Sequence, residues 1–167
     1  MDTESASCPA PRWRACIAGH VATFGHTTHA WPSPYRTLPR VLSLSACWER
    51  RLGGWRSARP DSPDTALRHR AFAGYAAHMR SPKFLAAMDE LLATAAAQCT
   101  AVMCAEAVWW RCHRRMIADF VTLARNVPVL HLHYDGRQEP HRPSDLARLR
   151  TDGLIVYDAG NTLPPCR

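Results

Sequence analysis

Two short apolar runs flanking an amphipathic stretch constrain this chain more than any other feature. Thr100-Ala-Val-Met-Cys104 has the length and composition of a buried strand. From Cys112 to Arg125, apolar residues recur at Cys112, Met116, Ile117, Phe120, Val121 and Ala124. That is a helical period, with Arg114, Arg115, Asp119 and Arg125 assigned to the opposite face. Pro128-Val-Leu-His-Leu-His133 then supplies a second strand. A strand, a loop, a helix and a returning strand make a βαβ unit, whose strands run parallel. The expected fold class is therefore α/β with a mostly parallel sheet. In such sheets ligands gather at the carboxyl ends of the strands, which places a site at Ala105 to Arg111.

The residues at that position can carry chemistry. Cys104, Glu106, Cys112 and His113 are the candidate catalytic groups, and Trp110, Arg111, Arg114 and Arg115 the candidate anion- and substrate-binding groups. No Ser, Thr, Asp or Asn stands at Trp109, Trp110 or Arg111 to cap the helix, so its first N–H groups are left to the Glu106 carboxylate or a bound anion. Alternation along an extended strand end puts Glu106 on the same side as Cys104, as an acid/base partner requires. Helix capping is the other use of that carboxylate. A thiol in the first helical turn has its pKa lowered by the dipole and by neighbouring cations, which nominates Cys112. The plainer role for both cysteines is core packing, and for His113 and Arg114 solvent exposure at the helix mouth.

Two further site types are disfavoured. Zinc needs a fourth ligand, and Cys112 and His113 diverge if both lie on a helix, so no metal is expected. Seven residues separate the two cysteines, which lacks the Cys-x-x-Cys spacing of redox enzymes. The sequence names no cofactor and leaves the oligomeric state open.

The net charge of +7 suggests a nucleic-acid partner, but 20 of the 21 basic residues are arginine, with Lys83 the one lysine. That bias, beside the Ala and Pro content, reads as GC-rich coding. Residues 1 to 60 hold eight basic and three acidic side chains, whereas the remainder is nearly balanced. Nucleic acid is thus a weakly supported partner beside a small anionic ligand. No apolar run is long enough to span a bilayer, and Ala15 to Gly25 is interrupted by Gly19 and His20, so no membrane association is expected. Without a secretory signal, the seven cysteines should be mostly reduced and the protein cytoplasmic.

The expected organisation is a disordered lead over 1–14, one α/β domain over 15–158 and a flexible tail over 159–167. A first strand over Ala15 to Thr23 ends at Gly25-His26. Helices are expected over Leu67 to Met79, after the Ser81-Pro82 start signal, and over Ser144 to Arg150. Turns fall at Tyr134 to Arg137 and Asp152-Gly153, followed by a strand over Leu154 to Tyr157. The interval 28–51 shows no sustained periodicity.

Cys-Ala-Glu followed by Trp-Arg-Cys-His-Arg resembles the signature of the bacterial family catalogued as domain of unknown function 488. Leu52-Gly-Gly54, Arg59-Pro-Asp-Ser-Pro63, Phe72 to Met79, and Glu139-Pro-His141 through Leu154 to Tyr157 resemble it in the same order, as does Thr23-Phe-Gly-His-Thr27 near the front. The resemblance implies a Rossmann-like three-layer fold and an enzyme whose reaction is open. It adds Gly25, His26, Asp61 and Ser62 as substrate-binding candidates at the strand-end rim. The family also usually carries a further strand and helices before Leu-Gly-Gly, and 25 residues between His26 and Leu52 cannot hold them. A missing strand-helix unit is expected, from a deletion or a frameshift affecting Trp31 to Arg50.

Together these readings point to an enzyme acting on a small anionic, nucleotide-like or phosphorylated substrate, a cysteine-dependent hydrolase or transferase. The alternatives are a non-catalytic ligand or nucleic-acid binding module and a degenerate, inactive family member.

Overall fold

A computed structural model describes residues 21–25, 47–106, 108–133 and 137–160. The expectations for 1–14 and for 28–46, the missing unit included, lie outside the described residues, as do His26 and 161–167.

The architecture is mixed α/β. Strand β1 (Val21–Gly25) lies between β2 (Thr100–Cys104) and β3 (Val129–Leu132) and is parallel to both; β4 (Gln138–Pro140) adds antiparallel to β3, giving the order β2-β1-β3-β4. The predicted crossover is present, but its two strands are not neighbours, because β1 separates them. This register sets Gly25 opposite Cys104, so the ends of the first two strands coincide. Among the described strands β2 is at the sheet edge, and Ala101 and Met103 are exposed. The buried strand expected there is half-buried, since an edge strand has a neighbour on one side alone.

Among the described residues three helices accompany the sheet: α1 (Arg70–Met79), α2 (Pro82–Ala97) and α3 (Arg114–Arg125). Helix α2 begins as its sequence dictates. Ser81 accepts from the Phe84 N–H at 3.3 Å, and Pro82, whose missing N–H costs nothing there, takes the first position. Helix α3 ends at Asn126, which adopts the left-handed conformation that a short polar side chain tolerates. The core lies among these helices, where Phe84 meets Phe120 edge to face at 5.3 Å beside Tyr75, Met88 and Ile117.

Residues 144–150 depart from expectation. Instead of a helix, β5 (Ala147–Leu149) pairs antiparallel with β6 (Ile155–Tyr157). The turn between them uses Gly153 at φ +77°, with Gly153 N–H donating to Arg150 O at 3.0 Å. Seven residues are too few for a stable isolated helix, and pairing with the buried Ile-Val-Tyr run decides the outcome.

Helix α1 packs against the backbone of the loop that precedes it. A Cβ on Gly74 would stand 2.2 Å from the Arg56 carbonyl oxygen, a backbone atom that cannot rotate away. Gly74→Ala is therefore expected to cost at least about 1–3 kcal/mol, the range for overpacking. A urea-melt midpoint unchanged by this substitution would show that the loop does not sit against the helix.

Candidate active site

The loop between β2 and α3 brings the sequence candidates together through a short irregular path. After Cys104 the chain makes one 3₁₀ turn (Trp109–Arg111), and Cys112 then adopts an extended conformation, φ −134° and ψ 174°. The α-helix therefore starts at Arg114, two residues later than its period suggests. This delay changes the site. Cys112 and His113 precede the helix instead of diverging upon it, and the side-chain donor atoms of Cys104, Cys112 and His113 lie within 4.8 Å of one another.

Cys104 Sγ is 3.8 Å from His113 Nδ1, and the Tyr75 ring packs on the His113 ring at 5.3 Å. Cys112 is buried, and its sulfur accepts from Arg114 twice, from the backbone N–H at 3.4 Å and from Nε at 3.0 Å. A sulfur thus takes the capping role that was expected of a carboxylate or an anion. Glu106 is exposed and contributes its backbone carbonyl, to which Arg114 Nη2 donates. Arg114 itself is fully buried, with Nη1 unpartnered, and among the described residues no carboxylate pairs with it. The helical period had placed Arg114 and Asp119 on the polar face; both are buried.

A buried guanidinium without a carboxylate needs negative charge nearby, and the thiol pair can supply it. The Cys112 thiol donates to the Trp109 carbonyl at 3.6 Å. Its proximity to Cys104, with His113 and the Glu106 backbone, drives the Cys104 pKa down to about 3 against the cost of partial burial. Cys112 moves the other way. The neighbouring Cys104 sulfur and its own burial disfavour charge on it, although Arg114 opposes both. The two thiols are thus pushed in opposite directions, Cys104 down and Cys112 up. The three donor atoms are grouped closely enough for a soft metal ion, and the divergence that argued against one is absent. The Arg114 cation against the Cys112 sulfur, however, favours a thiol pair over a metal centre.

The remaining candidates divide between two places. Trp110 and Arg115 line an open cleft of about 360 Å³ together with Trp109, Arg142 and Ser144. Arg115 Nη2 donates to Ser144 Oγ at 2.6 Å, and neither Arg115 nor Arg142 has an ion-pair partner among the described residues. The cysteines do not line this cleft; the 3₁₀ turn and the Arg114-Arg115 pair join it to them. Arg111 is exposed. Asp61 is exposed beside Arg59, whereas Ser62 donates to Asp64, a buried carboxylate that pairs with Arg80 at 2.7 Å and accepts from the Tyr157 N–H. These contacts give Ser62 an anchoring role in the fold.

Behind the cleft runs a buried polar chain that the sequence reading missed. Thr23 Oγ1 meets His131 Nδ1 at 2.6 Å, His131 Nε2 meets His141 Nδ1 at 2.8 Å, and His141 Nε2 meets Asp119 Oδ1 at 3.0 Å. Asp119 also accepts from the Tyr157 hydroxyl and the Ser144 N–H, both at 2.8 Å. Asp119 only accepts, so His141 Nε2 donates; with one proton per ring, His131 then donates to His141 and Thr23 to His131. Burial, reinforced by His141 and by Arg114, pushes His131 down to about 3, which keeps that ring neutral. Trp109 stacks flat on it, with centroids 3.6 Å apart and planes 4° from parallel. The chain thus braces one wall of the cleft. Its signal was present in β3, where Val129 and His131 share the inward face.

The family model described as Domain of unknown function DUF488 matches residues 36–121, just over half of the chain. The chain belongs to this family. The DUF488 match takes in the Cys104 and Cys112 loop and the start of α3, and it begins inside the interval for which a deletion or frameshift was expected. No curated protein and no solved structure was found to match the chain.

Cys47, Cys104 and Cys112 are free, whereas Cys99 is disulfide-bonded, so reduced thiols account for three of the four described cysteines. Among the described residues no helix is long and apolar enough to cross a membrane.

Proposed function

We propose that this DUF488 protein is a cysteine-dependent enzyme, with Cys104 as the nucleophile, acting on a small anionic, nucleotide-like or phosphorylated substrate. The observation that carries this reading is the convergence of Cys104, Cys112 and His113 over the buried Arg114. A thiolate held by neighbouring donors is the form that attacks an electrophile. His113 is the proton-handling partner within reach, and Glu106, exposed beside the loop, can meet the substrate from solvent. The cleft supports the substrate class: Trp110 offers an aromatic face, and Arg115 and Arg142 offer guanidinium groups that have no ion-pair partner among the described residues. Arg111, Gly25, His26 and Asp61 remain proposed rim residues. The order β2-β1-β3, with α3 making the crossover, supports a Rossmann-like reading of the fold. The free state of Cys47, Cys104 and Cys112 supports the cytoplasm, and the disulfide at Cys99 counts against it.

Charge preference tests this reading. Iodoacetate and iodoacetamide modify the same thiols but differ in charge, so their rate ratio reports the local potential. The ratio should be at least several-fold higher at Cys104 than at exposed Cys47, and should fall with added salt. Nucleoside monophosphates should slow the labelling of Cys104, and nucleosides should not. Equal ratios at the two cysteines would refute an anion-selective thiolate site, and nucleotide binding with an unreactive Cys104 would mark a binding module.

A further inference from the structure

Cys112 has no part in a one-cysteine mechanism, yet its sulfur lies within 4.8 Å of the Cys104 sulfur. Spacing in the chain had argued against a redox pair, and the extended backbone at Cys112 removes that objection by turning its side chain back toward the strand end. The two thiols also differ in access: Cys104 is partly exposed, whereas Cys112 is 7% exposed. An outside reagent reaches the first alone.

We propose that Cys112 is the resolving thiol of a two-electron dithiol couple, so that the site exchanges with small anionic disulfides of the glutathione disulfide class. This rests on the reading of Cys104 as a thiolate nucleophile. The Cys104 thiolate attacks one sulfur of the disulfide, forming a mixed disulfide and releasing one thiolate. Cys112 then attacks Cys104 Sγ, its proton passing to the second departing thiolate. The mixed S–S bond breaks and the Cys104–Cys112 bond forms. The protein dithiol loses two electrons, and the small disulfide is reduced to one thiol and one thiolate.

Arg114 sets the direction of this equilibrium. In the dithiol form its buried guanidinium has the thiolate pair for negative charge and donates to Cys112 Sγ. Oxidation removes that charge and leaves Arg114 Nη1, already unpartnered, in a buried site without a counterion. The reduced form is thus the stabilised one, and the disulfide is oxidising, as in other couples whose reduced form is held by local charge. Arg114 acts as a positioning residue.

Equilibration of the full chain in glutathione buffers, read peptide by peptide by mass spectrometry, tests the proposal. Wild-type protein should form an internal Cys104–Cys112 disulfide. Cys112→Ser should accumulate glutathione on Cys104, and Cys104→Ser should leave Cys112 unmodified. Arg114→Gln should shift the equilibrium at least tenfold toward the disulfide, about 30 mV for a two-electron couple, while Arg114→Lys should largely restore it. Persistent glutathione on Cys104 in wild type, without an internal disulfide, would overturn the resolving role and leave the thiolate reading intact. No modification of either cysteine would overturn both.

Discussion

Asp119→Ala is expected to lower the stability of the fold by about 3–5 kcal/mol, the cost of removing one partner from a buried charged network. The carboxylate is fully buried and accepts from His141 Nε2, Tyr157 Oη and the Ser144 N–H. Alanine leaves three donors facing a small void that offers them no acceptor, and each unsatisfied buried donor costs about 1–3 kcal/mol. Against a total stability of roughly 5–15 kcal/mol for a domain, that is a large fraction. Asp119→Asn keeps one acceptor oxygen in the same shape and should lose about half as much. Urea melts of the two variants measure the difference, and a change below about 1 kcal/mol for alanine would show that the chain does not support α3. The substitution also releases Ser144 from below. Arg115 and the cleft wall should loosen with it, so ligand binding in the cleft should weaken more than reactivity at Cys104.

How much of this was legible beforehand depended on the range of the interactions. Ser81-Pro82 encodes a helix start through atoms within three residues, and α2 begins there. The α3 period from Met116 to Val121 likewise marked the buried stripe. Cys112 was misplaced because helical periodicity continues back through it, while the backbone there is extended; no apolar pattern reports where a sulfur caps an N–H. Arg114 and Asp119 looked like surface charges because polarity is a local property, whereas the burial of Asp119 depends on groups distant in the chain and that of Arg114 on the irregular path of the loop before it. Arg114 donates to Glu106 O and Cys112 Sγ, and Asp119 accepts from His141, Ser144 and Tyr157. Ala147 to Leu149 became a strand for the same reason, through its pairing with residues 155–157. The site's location, by contrast, followed from topology alone, since β2 and β1 end together at Cys104 and Gly25.

The central claim is that Cys104 carries the negative charge of the thiol pair, and the pH dependence of its alkylation tests this most directly. An ordinary thiol, with a pKa of about 8.5, loses roughly three orders of magnitude of thiolate between pH 8 and pH 5. Cys47, exposed and free, provides that reference within the same molecule. Cys104, whose thiol its neighbours push far down, should stay a thiolate throughout. Its lower basicity also makes it intrinsically slower, by roughly a hundredfold or more at a Brønsted slope of about 0.4–0.5. The slope with pH is therefore decisive, and not the rate at any one pH. Peptide-resolved iodoacetamide labelling from pH 5 to pH 8 should give a nearly flat profile at Cys104 beside a steep rise at Cys47. A Cys104 profile that climbs in parallel with Cys47 would contradict the account, because no charge would then be held at the end of β2.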